Sequence, residues 1–121
     1  MLSFKLEGTD VLQKRLKKLE PAVVAGLIGG VNDGLHKVES DAKGLAPVRT
    51  GELRDSIDVK EATPSDLEGA VFVGADYGVY VEHGTSKMSA QPFLFPATEA
   101  NKAYIKRTLK ADGRVAIRKV T

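Results

Sequence analysis

Histidine is the side chain best suited to general acid–base catalysis near neutral pH, and this 121-residue chain has two, His36 and His83. His83 follows Glu82, and a carboxylate that orients a histidine can make it a general base. Adjacent residues rarely reach that geometry, however, and no second ligand stands at a metal-binding spacing. We therefore interpret His83 as a turn residue that caps or packs, and His36 as a residue at the border of a helix's apolar face.

The sequence carries no other catalytic or cofactor-binding motif. The glycine-rich segment "GLIGGVNDG" lacks both the P-loop lysine and the order of a dinucleotide-binding fingerprint. There is no serine nucleophile elbow, and no cluster of carboxylates has the spacing of a metal-binding loop. The absence of cysteine also removes most structural zinc sites. We therefore predict that the protein is not an enzyme and that it binds no cofactor and no metal.

The length of the chain predicts one domain, residues 1–121, with a modest hydrophobic core. The first residues, "MLSFKLEG", lack the basic and apolar regions of a secretory signal, and the apolar runs are too short to span a membrane. The lack of cysteine fits a reducing compartment. We expect a soluble, unexported protein that has no membrane partner.

Charge is unevenly distributed along the chain, although its net value is only +2. Residues 1–19 carry five Lys or Arg against two acidic residues, residues 20–100 carry six against thirteen, and residues 101–121 carry seven against one. This polarity suits nucleic-acid binding by the ends of the chain, or head-to-tail association with copies of the protein or with an oppositely charged partner. A solvated helix face is the commoner explanation of any one block.

The first part of the chain predicts a strand followed by two helices. "LSFKLEG" alternates apolar and polar residues as a strand does, and "GTD" supplies a turn and a helix cap. A helix follows from about Asp10 to Leu19, and Pro21 starts the next one. In this second helix, apolar residues return at helical spacing from Val24 to Leu45, which is the strongest periodic signal in the sequence.

Three glycines, Gly26, Gly30 and Gly34, lie four residues apart in the second helix, about a quarter-turn from its apolar stripe. Each of them costs a helix about 1 kcal/mol relative to alanine, so the row needs a reason. Either "NDG" ends one helix and starts another, or the helix continues and a neighbouring backbone packs closely against the row. That neighbour could belong to another subunit.

Downstream we predict a strand pair and a final helix. Thr50 is a candidate helix cap, and Gly51 and Leu53 belong to one or two helical turns after it. "SIDVKEA" and "GAVFVGA" then form a hairpin around the turn-rich "TPSDLEG". The last helix runs from Ala97 to about Ala111, and "DGRVAIRKVT" is either a short strand or a basic tail. The fold class is therefore α+β, a small, mostly antiparallel sheet packed against one long helix, with a short N-terminal helix and a C-terminal helix.

The segment "YGVYVEHGTSKMSAQPFLFPA", residues 77–97, has the composition of a docking surface. Glycines bound a short aromatic stretch, "GTSKMSAQ" is typical of a mobile polar loop, and "PFLFP" places three large apolar side chains between prolines. Three such side chains in a row cannot all face a core, so some apolar surface is left for a partner. The alternative is that Tyr77, Tyr80 and Phe93 are simply core residues, as aromatic residues commonly are.

Two segments together resemble one protein family. "APVRTGELRDSI" combined with "YGVYVEHGTSKMSAQPFLFPATEA" is similar to the HK97 gp10-like family of tailed-phage and prophage proteins. The shared order is a long helix, Pro-x-x-Thr-Gly-x-Leu-x-x-Ser-Ile, a strand pair, Tyr-x-x-Tyr-x-Glu-x-Gly-Thr, and Gln-Pro-Phe-Leu before a C-terminal helix. Two positions depart from this pattern: Ser89 stands where proline is common, and Phe95 where arginine often stands, which makes the tip more apolar.

The resemblance implies a structural role in the virion, as a head-tail joining, neck or tail-completion protein that assembles as a ring between connector and tail. Its partners would be copies of itself, the connector or head-completion protein and tail proteins, after synthesis in the host cytoplasm. The protein would lie near DNA without recognising its sequence. The competing hypothesis is a basic protein that lines the genome channel and contacts DNA through Lys106, Arg107 and Lys110. Against it, Tyr104 is the one aromatic residue nearby and is better used in the core.

The predicted site residues fall into two sets. The subunit or partner interface is assigned to Gly26, Gly30, Gly34, Lys87, Met88, Gln91, Phe93, Leu94 and Phe95. The motif or structural positions are Thr50, Gly51, Leu53, Tyr77, Tyr80, Glu82, Gly84, Thr85, Pro92 and Pro96. We expect the stretch from Tyr77 to Thr85 to form a turn packed on the sheet, which presents residues 87–95 as a loop that orders when the neck assembles.

Overall fold

The computed structural model describes residues 2–7, 14, 20–47, 51–66, 68–109 and 116–120. They confirm the α+β class predicted from the sequence. The elements in chain order are β1 (Leu2–Glu7), α1 (Pro21–Leu45), α2 (Glu52–Asp55), β2 (Ile57–Lys60), β3 (Ala70–Val73), α3 (Gly78–His83), α4 (Leu94–Leu109) and β4 (Ala116–Val120). Apart from Lys14, which is helical, the predicted helix from Asp10 to Leu19 lies outside the described residues, and so does Thr50.

The described strands form one antiparallel sheet with the order β2-β3-β1-β4. β2 and β3 make the predicted hairpin, in which Ile57 lies opposite Val73 and Lys60 opposite Ala70. β1 pairs with β3 on one side and with β4 on the other. The sequence left residues 112–121 open between a strand and a tail, and residues 116–120 of this segment are a strand.

One long helix, α1, packs against β2 and β3 and against α4. It is continuous, so "NDG" does not break it, and Pro21 occupies its first turn as predicted. The predicted apolar stripe is buried along most of its length, but Leu45 is exposed and Ala46 takes the core position. The helix ends at Leu45, and the extended backbone of Ala46 turns its side chain inward.

Side chains from both layers meet in one hydrophobic core. Its largest fully buried members are Phe93, Leu2, Leu35, Ile57, Leu94, Ile105, Val38, Val71 and Val73. Because the set draws on the sheet, α1 and the segment around α4, burial of the α1 stripe holds all three together.

The glycine row of α1 meets its own chain at one position. Gly34 is buried, and a Cβ added there would overlap the side chain of Ile105 in α4. Gly26, by contrast, is exposed and has open space where a Cβ would be. The physical reason for Gly34 is therefore close packing of two helices within one chain, and contact with another subunit remains a prediction for Gly26 and Gly30.

Helices α1 and α4 pack antiparallel. The ammonium group of Lys37 lies 4.7 Å from the centroid of the Tyr104 ring. One turn further along α1, Asp41 Oδ2 accepts a hydrogen bond from Asn101 Nδ2 at 2.8 Å. Since residue numbers rise along α1 as they fall along α4, the C-terminal end of α1 lies beside the N-terminal end of α4.

Candidate interaction site

Residues 78–83 form a short helix, α3, where the sequence predicted a turn. Six residues are too few to give a periodic signal, and glycine stands at or next to each end. The expected packing on the sheet is present, since Gly78 is buried and a Cβ there would lie 2.8 Å from Cγ1 of Val73. Tyr77 and Tyr80 are 39% and 58% exposed, so they are surface residues rather than core residues.

A hydrogen-bonded turn follows α3. Gly84 has a φ of 78°, in the left-handed region that favours glycine, and a Cβ there would collide with the returning backbone. Thr85 N donates to Met88 O at 2.8 Å, and Met88 N donates to Thr85 O at 3.3 Å. Gln91 N then donates to Val81 O at 2.8 Å, which ties the end of the segment back to α3. The polar stretch predicted as a loop is thus closed by its own backbone.

The carboxylate of Glu82 caps the N-terminus of α4. Its side chain is buried, with 3% exposure for the residue. Oε1 accepts hydrogen bonds from the N–H groups of Phe93 at 3.1 Å and Leu94 at 2.8 Å, and Oε2 accepts one from Phe95 at 3.1 Å. The first four N–H groups of a helix have no acceptor within it, and here the fourth position is Pro96, which has no N–H. Of the four positions, three have N–H groups that Glu82 accepts, and the fourth has no N–H group to satisfy.

This cap explains where α4 begins. The sequence indicated a start near Ala97, with Pro96 as the first residue, whereas the helix starts at Leu94. The capping side chain lies 11 to 13 residues before its partners, beyond the reach of local capping rules. An anionic group at a helix N-terminus is further favoured by the helix dipole. The sequence marked Glu82 as structural but gave no signal for what it binds.

The three consecutive apolar residues of "PFLFP" divide between core and surface. Phe93 and Leu94 are 0% and 1% exposed and belong to the core of the chain, whereas Phe95 is 51% exposed. The expectation that they cannot all face inward is confirmed. Among these three predicted interface residues, Phe95 is the one whose side chain is available to a partner in the described structure.

Five of the described large apolar side chains are exposed, and hydrogen bonds and helix packing link the elements that carry them near the N-terminus of α4. Within the described residues they are Leu45, Tyr77, Tyr80, Met88 and Phe95, and we call these five the apolar end. Leu45 closes α1 beside the N-terminus of α4, which carries Phe95. Tyr77 precedes α3 and Tyr80 lies within it. Glu82 of the same helix binds the N-terminus of α4, and Met88 lies in the turn between α3 and α4. Partial burial and then the charge of Glu52 raise the pKa of the Tyr77 hydroxyl.

The remaining predicted interface residues lie in two separate places. Lys87 and Gln91 are exposed on the segment between α3 and α4, and so are the motif residues Thr85 and Pro92. Gly26 lies 19 residues before the end of α1, about 28 Å away along the helix axis. The structure thus brings the residues of the segment together and leaves the first glycine of the row apart from them.

Two of the structural motif residues lie at α2. Gly51 precedes this helix with a φ of 80°, a left-handed conformation that glycine adopts readily. Leu53 is buried in the core, close to where a Cβ on Gly78 would lie. The motif that contains both residues therefore has a structural role in the described fold.

The histidines lie at different places on the surface. His83 is exposed at the end of α3. His36 lies between two carboxylates: its Nε2 is 2.8 Å from Glu61 Oε1 and its Nδ1 is 3.2 Å from Glu39 Oε1. The hydrogen bonds that these carboxylates accept, above all the one accepted by Glu61, raise the pKa of His36. The described residues contain no group of three or more His, Asp or Glu side chains that could hold a metal ion.

The fold and the apolar end together define the class: an α+β protein that exposes several large apolar side chains. Among the described helices, none combines the length and the apolar character needed to cross a membrane. The family described as "Bacteriophage HK97-gp10, putative tail-component" matches residues 10–84, which is more than half of the chain. The chain belongs to this family, as the resemblance predicted, and is a structural protein of the phage tail-component kind.

The family match ends at Gly84, so it includes Glu82 but not the turn or the start of α4. Comparison with the curated proteins and with the solved structures found no match.

Proposed function

We propose that the protein is a head-tail joining protein, of the neck or tail-completion kind, that assembles as a ring between the connector and the tail of the virion. Its partners are copies of itself, the connector or head-completion protein and tail proteins, and its role is structural rather than enzymatic. Membership of a phage tail-component family supports this function. The observation that carries it is the apolar end, because five large apolar side chains stay in water unless a neighbour covers them.

A ring needs two different surfaces on each subunit, since each copy contacts the next one head to tail. We assign the first surface to the apolar end. We assign the second to the part of α1 that carries Gly26 and Gly30, because small residues let another backbone approach and because open space surrounds Gly26. Their separation of about 28 Å along α1 suits a contact that passes from one side of a subunit to the other.

The experiment that tests this proposal compares Phe95→Ser with Ala103→Ser by light scattering across protein concentration and salt. Both residues are exposed on α4 and both variants introduce serine, but only Phe95 belongs to the apolar end. We expect the wild type and Ala103→Ser to form a larger species as concentration rises. Phe95→Ser should need at least about ten times more protein to do so, since a buried aromatic contact contributes roughly 1.5–3 kcal/mol.

If both variants associate equally, Phe95 is not part of the interface. A wild-type chain that is monomeric at every concentration would contradict self-assembly, although family membership would stand. A folded Phe95→Ser monomer, checked by circular dichroism, would support the assignment because Phe95 is half-exposed and its backbone N–H is kept.

A basic protein that contacts DNA in the genome channel is the second candidate. It is favoured by the seven basic residues among positions 101–121. Arg107 is exposed on α4, whereas Lys110 and the side chain of Lys106 lie outside the described part of the chain. Charge reversal at these three positions separates the candidates. Loss of a salt-dependent DNA affinity would support DNA contact, and unchanged DNA binding with failed assembly would support the ring.

A further inference from the structure

We infer that Glu82 preorganises the segment 84–95: in the free chain it holds this segment, with the exposed side chains of Met88 and Phe95, in its binding conformation before any partner arrives. The identity of the partner, a second copy of this chain, rests on the proposed function. The ordering of the segment by Glu82 is independent of that function.

The segment is fixed at three points. Glu82 accepts the N–H groups of residues 93–95, Gln91 N donates to Val81 O, and Thr85 and Met88 bond to each other across the turn. Two of these three links lead back to consecutive residues of α3. The segment therefore leaves α3 and returns to it, and it has little freedom to move as a loop.

The central link is protected from water. Glu82 is 3% exposed, and two of the residues that donate to it, Phe93 and Leu94, have side chains in the core. Hydrogen bonds to an ionised carboxylate are stronger than those between neutral groups. If the buried carboxylate moved away, these three N–H groups would lose the hydrogen bonds that it accepts, which costs free energy.

The same link positions the surface. The N–H of Phe95 is bound to Glu82, while its side chain is 51% exposed. Met88 is exposed on the turn whose two ends are tied to α3. A surface that is already ordered loses less conformational entropy on binding. This differs from the sequence-based expectation of a loop that orders only during assembly.

The experiment is amide hydrogen exchange by NMR on the free full-length chain at a concentration where it is monomeric. The N–H groups at the start of a helix ordinarily exchange fast because no residue of the helix accepts them. We expect the amides of Phe93, Leu94 and Phe95 to exchange at least about 100-fold more slowly than unstructured amides. Exchange at unstructured rates in the wild type would overturn the inference.

Two substitutions make the result specific. Glu82→Gln keeps one oxygen acceptor, so Phe93 and Leu94 should stay protected while Phe95, which faces the new NH₂ group, loses protection. Glu82→Ala should lose protection at all three amides. Glu99→Gln, an exposed glutamate on α4, is the matched control and should change none of them. A general destabilisation would instead speed exchange throughout the core, and that pattern in Glu82→Gln would contradict the inference.

The exchange result and the ring are separable. If protection follows the expected pattern but Phe95→Ser associates like the wild type, the surface is preformed and the proposed partner is wrong. If the wild type associates and the amides are unprotected, the proposed function stands and the segment orders on assembly.

Discussion

The protein holds two of its segments with side chains from another element, and the two attachments differ in kind. At the start of α4, buried Glu82 accepts three backbone hydrogen bonds with a charged group. After β2, half-buried Asn32 of α1 exchanges two neutral hydrogen bonds with the backbone of Ala62, at 2.8 and 3.0 Å. Beside it, His36 bonds to Glu61, and their side chains are 47% and 59% exposed.

We expect burial and charge, more than the number of bonds, to decide how firmly each segment is held. Water can replace His36 or Glu61 as a partner, so little free energy is lost when the exposed pair separates. Water cannot reach the N–H groups of Phe93 and Leu94 without opening the core. We therefore expect the start of α4 to be held more firmly than the connection after β2, where the contact between His36 and Glu61 also depends on pH.

The largest expected effect is that of Glu82→Ala. Removal of the carboxylate takes away the acceptor of two buried N–H groups and of one partly buried N–H group, so we expect the free energy of unfolding to fall by about 3 kcal/mol. Urea denaturation followed by circular dichroism measures it. Glu61→Ala, which removes an exposed carboxylate, is the control and should cost less than about 1 kcal/mol. Equal losses would mean that burial does not distinguish the two attachments.

An intermediate effect is expected for Asn32→Ala. Both backbone groups of Ala62 lose their partner, which costs about 1–2 kcal/mol, and the better helix propensity of alanine offsets part of it. The net loss should be about 1 kcal/mol in the same urea assay. Asp33→Ala changes an exposed residue of the same helix and should be neutral or slightly stabilising. A stabilised Asn32→Ala variant would contradict a holding role for Asn32.

The smallest effect, and the one that depends on pH, is expected at His36. Its hydrogen bonds to Glu61 and Glu39 raise its pKa above the ordinary value of 6.5, and Lys43 Nζ lies 3.6 Å from Glu39 Oε2. Protonated His36 stabilises the fold, and this contribution is fully present below about pH 6.5, the pKa of an ordinary histidine. It is lost as the pH rises through the raised pKa of the folded state.

Urea denaturation of the wild type and of His36→Ala between pH 5.5 and 9 tests this. The wild type should be more stable by at most about 1 kcal/mol at the acidic end, and the difference should shrink towards zero at the basic end. In a Glu61→Gln background the difference at the acidic end should be smaller, because the main partner of His36 has lost its charge. A difference that grows with pH would reverse the sign and contradict the interpretation.

Several elements could be predicted from the sequence because their signals are local. The stripe of α1 at Val31, Leu35 and Val38 is buried as its spacing requires, and the β2–β3 hairpin follows its turn-rich connection. The family could be recognised because its motif residues stand close together in sequence. What could not be predicted was α3, which is too short for periodicity, and the start of α4, which depends on a side chain from another helix.

The sequence by itself determined the α+β class, the long helix, the strand pairing around "TPSDLEG" and membership of the phage tail-component family, because each rests on apolar spacing or on contiguous motifs. Only the tertiary structure decided that Phe95 faces water while Phe93 and Leu94 fill the core, and that Gly34 makes room for Ile105. The physical reason is that these outcomes depend on which segments meet in space. A buried carboxylate 11 to 13 residues away sets the first turn of α4, and no local pattern records that contact.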